Sequence, residues 1–463
     1  MSPESTPDLH AAVVGAGPSG FYTAEALLRK RPGIRVDMFD RLPTPFGLVR
    51  GGVAPDHPKI KQVALTYDKI ARSPGFAFWG NVEIGRTLTI EDLSRAYHVV
   101  VLAYGASADR PLGISGEDLQ GSHTATEFVG WYNGQPDYQN AVFDLSGYSA
   151  VIIGQGNVAA DLARMLATPV EDLRRTDITD RALAGLADSR VRDIHVIGRR
   201  GPAQAKFTSV ELKELGRIRD CVAVVTADDL ELNDASHAEL ADTRADESRK
   251  NLEIFRTFAA ANGNGASKRI IFHFCKTPVR ISGSGKVEQI TLAHSVLEGP
   301  PFAQRAVPTP QHVDIPCDLV FRSVGYRGLP IPGVGFDAEN GIIPNHKGRC
   351  LCDGKPMPGL YVAGWIKRGP TGIIGTNRAD SVETVETILE DVAQGIISPK
   401  PGIGGLRTAL AERKLVGYAD WQRIDAAERA RGQLKGKPRE KFTALHDLMD
   451  AASSAADLKF LQR

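Results

Sequence analysis

Twice in this chain a short apolar run breaks into a glycine turn and resumes as an amphipathic helix, and this repeated pattern constrains the fold more than any other feature. The first copy, AAVVGAGPSGFYTAEALLRK, spaces Gly15, Gly17 and Gly20 as G-x-G-x-x-G. The second, AVIIGQGNVAADLARML, has Gly154 and Gly156 with Ala159 in the third place. The three positions serve a tight turn, close backbone approach to a pyrophosphate, and close helix-on-strand packing, a task alanine also performs. The expected class is therefore α/β, with two Rossmann-like dinucleotide-binding domains.

The two copies differ at the end of their second strand. RVDMFD reads as a strand ending at Asp40, twenty residues past Gly20, where a carboxylate accepts ribose hydroxyls. In the second copy the strand within VRDIHVIGRRG runs into Arg199 and Arg200. An isolated pair of this kind reads as solvated charge, but in this place two guanidiniums fork onto a 2′-phosphate. The acid-ended unit reads as an FAD site and the arginine-ended unit as an NADP(H) site. Completing the flavin site requires the chain to return, and LYVAG with the glycine-rich WIKRGPTGIIGTN after it provides that return. The expected organisation is a first FAD-binding part over 1–107, an inserted NADP-binding domain over 108–323, and a second FAD-binding part with C-terminal helices over 324–463. A helix begins at about Thr376 or Asn377, either of which suits a plain N-cap. Its unpaired N–H groups and partial positive charge suit a reduced flavin ring, with Gly372, Ile373 and Ile374 as the favoured backbone contacts.

The segment PTPFGLVRGGVAPDHPKIK, from Pro43 to Lys61, has prolines at 43, 45, 55 and 58 and glycines at 47, 51 and 52, which exclude an ordinary helix or central strand. Leaving Asp40, it fits a rigid segment that wraps the cofactor, because proline fixes φ and glycine permits close backbone approach.

The formal charge of +1, without a long block of one sign, argues against nucleic-acid or membrane-surface binding. No apolar run approaches the roughly 20 residues needed to span a bilayer. Cys221, Cys275, Cys317, Cys350 and Cys352 include no C-x-x-C pair. Reduced thiols in the cytoplasm, with no metal site, are expected. The opening MSPESTPDLH has acidic residues and no apolar core, so neither a signal nor an Arg-rich transit peptide is expected.

Taken in order, VVGAGPSG, LPTPFGLVRGGVAPDHPKIK, IGQGNVAADLAR, IGRRGPAQAKFTSVELKEL, RSVGYRG and GWIKRGPTGIIGTN closely resemble the adrenodoxin reductase-like ferredoxin-NADP+ reductases, especially bacterial members of the mycobacterial type. The resemblance runs from about residue 10 to 445. It implies FAD and NADP(H), with hydride transfer from NADPH to FAD and then one-electron transfers to a ferredoxin, a small acidic iron-sulfur protein. Carried over residue by residue, it implies flavin contacts at Gly15, Gly17, Ser19, Gly20, Asp40, Leu48, Ile84, Trp365 and Gly372 to Ile374. Val82 is placed as well as Ile84. Nicotinamide-nucleotide contacts are implied at Arg110, Gln155, Gly156, Asn157, Val158, Arg199, Arg200, Glu211 and Gly372. The chain departs from the family pattern in having Asp40 where Glu is expected and Gln155 where Asn is frequent.

Hydride transfer depends on alignment and needs no nucleophile. The resemblance places His57 and Glu214 near the reacting rings as the catalytic candidates, His57 to orient or exchange a proton and Glu214 to hydrogen-bond the carboxamide. Glu211 lies three residues before Glu214, on the same face if SVELKEL is helical; a pair of surface acids beside Lys206 and Lys213 is the other reading. Disulfide reductases lack support here because no redox-spaced cysteines are present. A glutamate synthase small subunit would need an N-terminal cysteine-rich region, and a cofactor-binding sensor would bind without turnover. Arg244, Arg249, Lys250 and Arg256 are candidates for steering an acidic ferredoxin, or a solvated face of mixed charge. The tail from about Leu406 reads as packing helices interrupted by the polar KGKPREK.

Overall fold

The computed structural model describes residues 9–261, 265–395 and 399–453. Residues 1–8, most of the amino-terminal stretch that bears on targeting, and the last ten residues of the tail lie outside the described residues. The chain forms two compact units, one of Met1–Ala108, Asn133–Pro136 and Tyr326–Arg463, the other of Asp109–Tyr132 and Asp137–Gly325.

The first unit is built on a seven-stranded sheet in the order Asn345–His346, Arg349–Cys352, Lys355–Val362, Val99–Leu102, His10–Val14, Arg35–Asp40, Phe76–Gly80. The five strands from Lys355–Val362 to Phe76–Gly80 run parallel. The other two extend the sheet as an antiparallel hairpin. A parallel strand covered on both faces must be apolar throughout. In His10–Val14, Ala11 and Val13 join one core and Ala12 and Val14 the other. The helices Pro18–Lys30 and Thr376–Ala393 pack together over the first face, burying Phe21, Leu27, Val385 and Ile388.

The second unit repeats the plan with a six-stranded parallel sheet, Ser122–Thr124, Leu319–Arg322, Ser149–Ile153, Asp193–Ile197, Lys268–His273, Cys221–Val224. One face buries Ile152, Val196 and Phe272 beneath helices that include Asn157–Ala167 and Ser209–Leu215. Val151, Ile153 and Ile197 on the other face pack against Ile281, Ile290 and Leu292 of a three-stranded antiparallel sheet, Lys276–Ser282, Gln289–Glu298 and Arg305–Pro316.

In the tail, the helices Tyr418–Gln433 and Leu445–Ser453 place Trp421, Ile424 and Leu448 in the core of the first unit. The polar stretch between them is no solvent linker, since Lys437, Glu440 and Lys441 are all buried. All five cysteines are free. Among the described residues no helix is long and apolar enough to cross a membrane.

Candidate functional site

Both glycine turns are locked by the same contacts. Gly15 has φ +106° and donates its amide to the Phe39 carbonyl at 2.7 Å; a Cβ there would lie 2.6 Å from the Ala103 carbonyl oxygen. Gly154 has φ +135° and donates to the Ile197 carbonyl at 2.9 Å, and its Cβ would lie 2.1 Å from the Ser323 carbonyl oxygen. The third positions differ. A Cβ on Gly20 would sit 2.0 Å from the Gly15 carbonyl oxygen, whereas Ala159 is accommodated and fully buried.

Asp40 ends its strand, and its carboxylate is engaged by backbone: one oxygen accepts from the Ala16 amide at 2.8 Å, the other from the Leu42 amide at 2.9 Å. Burial pushes this carboxyl above its ordinary value, against the pull of the two amides and Arg41. The acid thus ties the fingerprint turn to the strand end. Each carboxylate oxygen has a second lone pair for a ligand hydroxyl.

The wrapping segment closes on this turn. The Phe46 amide donates to the Ala16 carbonyl at 2.7 Å, and a Cβ on Gly47 would come within 2.8 Å of the Gly17 Cα. Phe46 holds φ +83°, a strained conformation for an aromatic residue, and is buried edge-on against Trp421. Leu48 opens a one-turn helix, Leu48–Gly51, and is 42% exposed. His57 precedes another, Pro58–Lys61, with its amide bonded to the Ala54 carbonyl. Ile84 and Val82 both lie in the core, so neither is a projecting side chain.

The returning turn is held from within. Gly364 takes φ +79°, and a Cβ there would lie 2.0 Å from Ser19 Oγ, which donates to Asn377 Oδ1. Arg368 donates to Asn377 Oδ1 at 2.8 Å and to Thr371. Neither Thr376 nor Asn377 is the N-cap. Gly375 holds that position and the helix starts at Thr376. The Asn377 side-chain amide reaches back to the Ile374 carbonyl, and Thr376 Oγ1 accepts from the Ile373 amide. Both side chains therefore shape the Gly372–Gly375 turn, where Gly372 has φ +79° and Ile373 is 68% exposed. Trp365 stacks on Tyr326, and its buried Nε1 meets no acceptor among the described residues. Glycines admitting close backbone approach, an acid at the strand end and an orphaned indole N–H together fit a flavin dinucleotide.

In the second unit, Gln155 donates to the His273 carbonyl at 3.1 Å, and Asn157 Oδ1 accepts from the Thr208 amide at 2.8 Å. These side chains brace the turn that holds Gly156 and Val158. The strand ends at Ile197, so Gly198 separates it from Arg199 and Arg200, a residue or more beyond the place Asp40 takes in the first copy. Arg199 is exposed, Arg200 is half-buried, and among the described residues neither forms an ion pair. Burial, and then the charge of Arg199, push the Arg200 guanidinium down. Two adjacent cations under that mutual repulsion suit a doubly charged phosphate. The Arg110 amide donates to the Gly325 carbonyl.

Glu211 and Glu214 do share one face of a helix, Ser209–Leu215, and both lie at ion-pair distance from Arg164, Glu211 largely buried and Glu214 more open. Arg164, 3% exposed, also bonds Asp161 at 2.6 Å. Sequence reasoning missed Arg164 and Asp161. The available signal was an arginine four residues after Ala160 and three before Ala167, inside the apolar stripe of its helix, where a charge needs partners. The candidate steering residues all have acidic neighbours. Arg244 pairs with Asp242, Arg249 and Lys250 with Asp246, and Arg256 with Glu253, giving an exposed face of mixed charge.

The sequence profile of the NAD(P)-binding Rossmann-like domain family matches residues 13–72. The chain is 42% identical to the mitochondrial NADPH:adrenodoxin oxidoreductase of Arabidopsis thaliana over 473 aligned positions, covering 98% of this chain and 97% of that protein. It is 43% identical to the NADPH-ferredoxin reductase FprA of Mycobacterium tuberculosis, covering 95% of this chain and 98% of that one. The solved structure of M. tuberculosis FprA in complex with NADPH superposes with a TM-score of 0.91 at 40% identity, over 96% of this chain and 100% of that chain.

Proposed function

This chain belongs to the family of NADPH:adrenodoxin and NADPH-ferredoxin oxidoreductases, and from that premise we propose that it is an FAD-containing ferredoxin-NADP+ reductase that passes electrons from NADPH to a ferredoxin-type iron-sulfur protein. The observation that carries this reading is the pair of equivalent glycine turns with opposite charges beyond them, Asp40 in one and Arg199 with Arg200 in the other. One suits ribose hydroxyls and the other a 2′-phosphate.

In this reading Gly15, Gly17, Ser19, Gly20, Asp40, Leu48, Ile84, Trp365 and the Gly372–Ile374 turn hold FAD. Arg110, Gln155, Gly156, Asn157, Val158, Arg199, Arg200, Glu211 and Gly372 hold NADP(H). When bound, FAD supplies the conversion of a hydride into single electrons. The chain contributes alignment: glycine backbones approach the pyrophosphate and the Trp365 indole offers an N–H. His57 orients the reacting end or exchanges a proton, and Glu214 accepts from the carboxamide. Five free thiols suit a reducing, cytoplasmic location.

The test mixes holoenzyme, NADPH and candidate ferredoxins and follows cluster reduction, with cytochrome c as terminal acceptor. Cytochrome c reduction that requires ferredoxin is expected. A protein that binds FAD and NADPH without turnover would instead be a sensor. Stopped-flow reduction by NADPH in His57→Gln and Glu214→Ala tests their roles, which fail if both variants match the wild type.

A further inference from the structure

We propose that Arg164 is a positioning residue for the nicotinamide end of the NADP(H) site: its buried guanidinium gathers Asp161, Glu211 and Glu214 and fixes where their carboxylates stand. The proposal rests on the reading of Glu211 and Glu214 as nicotinamide contacts.

Arg164 projects from Asn157–Ala167, the helix that the second glycine turn opens. Its Nη2 meets Asp161 one turn back at 2.6 Å, while its Nη1 meets Glu211 at 3.1 Å and Glu214 at 3.6 Å. Glu211 and Glu214 are themselves one turn apart on Ser209–Leu215. A single planar fork therefore sets the lateral register of the two helices that present the site. The side-chain exposures are 4% for Arg164, 15% for Asp161 and 12% for Glu211, against 36% for Glu214. The inner acids are clamped by hydrogen bonds, and Glu214, at ion-pair distance, is the most open.

The shared fork gives the arrangement its consequence. One guanidinium, which stays protonated, holds carboxylates from two helices. Without the cation the acids repel, and nothing holds their oxygens in one place. A carboxamide N–H₂ needs an acceptor held in place, which the fork provides. Lysine would keep the charge but not the fork that reaches two helices at once.

The experiment compares wild-type holoenzyme with Arg164→Lys and Arg164→Gln by calorimetric binding of NADP+ and of 2′,5′-ADP, which has the 2′-phosphate half and no nicotinamide. Affinity for 2′,5′-ADP should stay within about twofold, while NADP+ weakens about tenfold in the lysine variant and further in the glutamine variant, the loss expected for one to two charge-assisted bonds. Should Arg164→Gln fail to fold, Arg164→Lys decides. Equal weakening of both ligands, or a folded lysine variant with wild-type NADP+ affinity, overturns the proposal. A wild type that binds neither ligand overturns instead the reading of the site on which it rests.

Discussion

The guanidinium of Arg50 meets both oxygens of Glu428, at 2.8 and 2.5 Å, across 378 residues of sequence. Arg50 belongs to the wrapping segment and Glu428 to the tail helix Tyr418–Gln433. Glu428 is wholly buried and accepts further bonds from Arg439 and from the Phe442 amide, while Arg50 lies over the Trp421 ring. The tail thereby clamps the strained stretch around Phe46 against the first glycine turn.

Breaking this pair on one side should be severe. Glu428→Gln leaves the largely buried Arg50 guanidinium without its counter-charge, while Arg439 keeps Asp425, a loss of about 3–5 kcal/mol. The expected result is a lower unfolding midpoint and release of flavin, read as the absorbance ratio of flavin to protein after gel filtration. Burial alone would raise the Glu428 carboxyl, but Arg50 and then Arg439 hold it below its ordinary value. Its contribution is therefore present above the unfolded carboxyl's pKa of about 4.5 and lost as pH falls below it.

The two glycine turns should respond oppositely to exchange of their third residues. Gly20→Ala drives a Cβ to 2.0 Å from a carbonyl oxygen, an overpacking that costs about 1–3 kcal/mol or more and should yield protein depleted of flavin. Ala159→Gly removes only a methyl from a helix, costs about 1 kcal/mol, and should leave flavin content unchanged. Equal flavin content in the two purified variants would contradict the packing argument.

Arg199 and Arg200 should set the preference between NADPH and NADH. Each charge-assisted bond to a 2′-phosphate contributes about 1.5–3 kcal/mol, so replacing both with alanine should erase a tenfold to hundredfold preference, or more, by raising KM for NADPH. Steady-state kcat/KM with both cofactors measures it; equal values in the wild type would refute the assignment.

His195 and His273 stack on adjacent strands with ring nitrogens 2.9 Å apart. Burial, aided for His195 by His273 and for His273 by Lys276, pushes both down to about 4 from an ordinary 6.5. The folded pair stays neutral where the unfolded chain binds protons, so stability present above about pH 6.5 is lost progressively toward pH 4. Thermal midpoints measured from about pH 7.5 to about 4.5 should fall, and His195→Gln should flatten the slope. A midpoint constant across that window would show that the pair is not a linkage site.

The class of fold was legible because its signals are local. Strand, glycine turn, helix and the residue ending the next strand fall within some thirty positions, and the backbone geometry of Gly15 or Gly154 is a property of those positions. The same locality explains the misassigned N-cap. Thr376 and Asn377 have cap chemistry, but Ser19 and Arg368 engage Asn377 from outside the helix. Likewise the basic stretch near Arg244 showed its charges, while the side-chain pairs they form depended on the folded geometry.

By itself, then, the sequence determined that the chain would hold two dinucleotides and which end of each would be acidic or basic, because turn conformation and strand-end chemistry are encoded over short spans. Tertiary structure alone decided what Arg164, Arg50 and Glu428 do. A buried charge takes its role from the partners that distant segments bring to it, and no span of sequence around Arg50 indicates that its counter-ion lies 378 residues away.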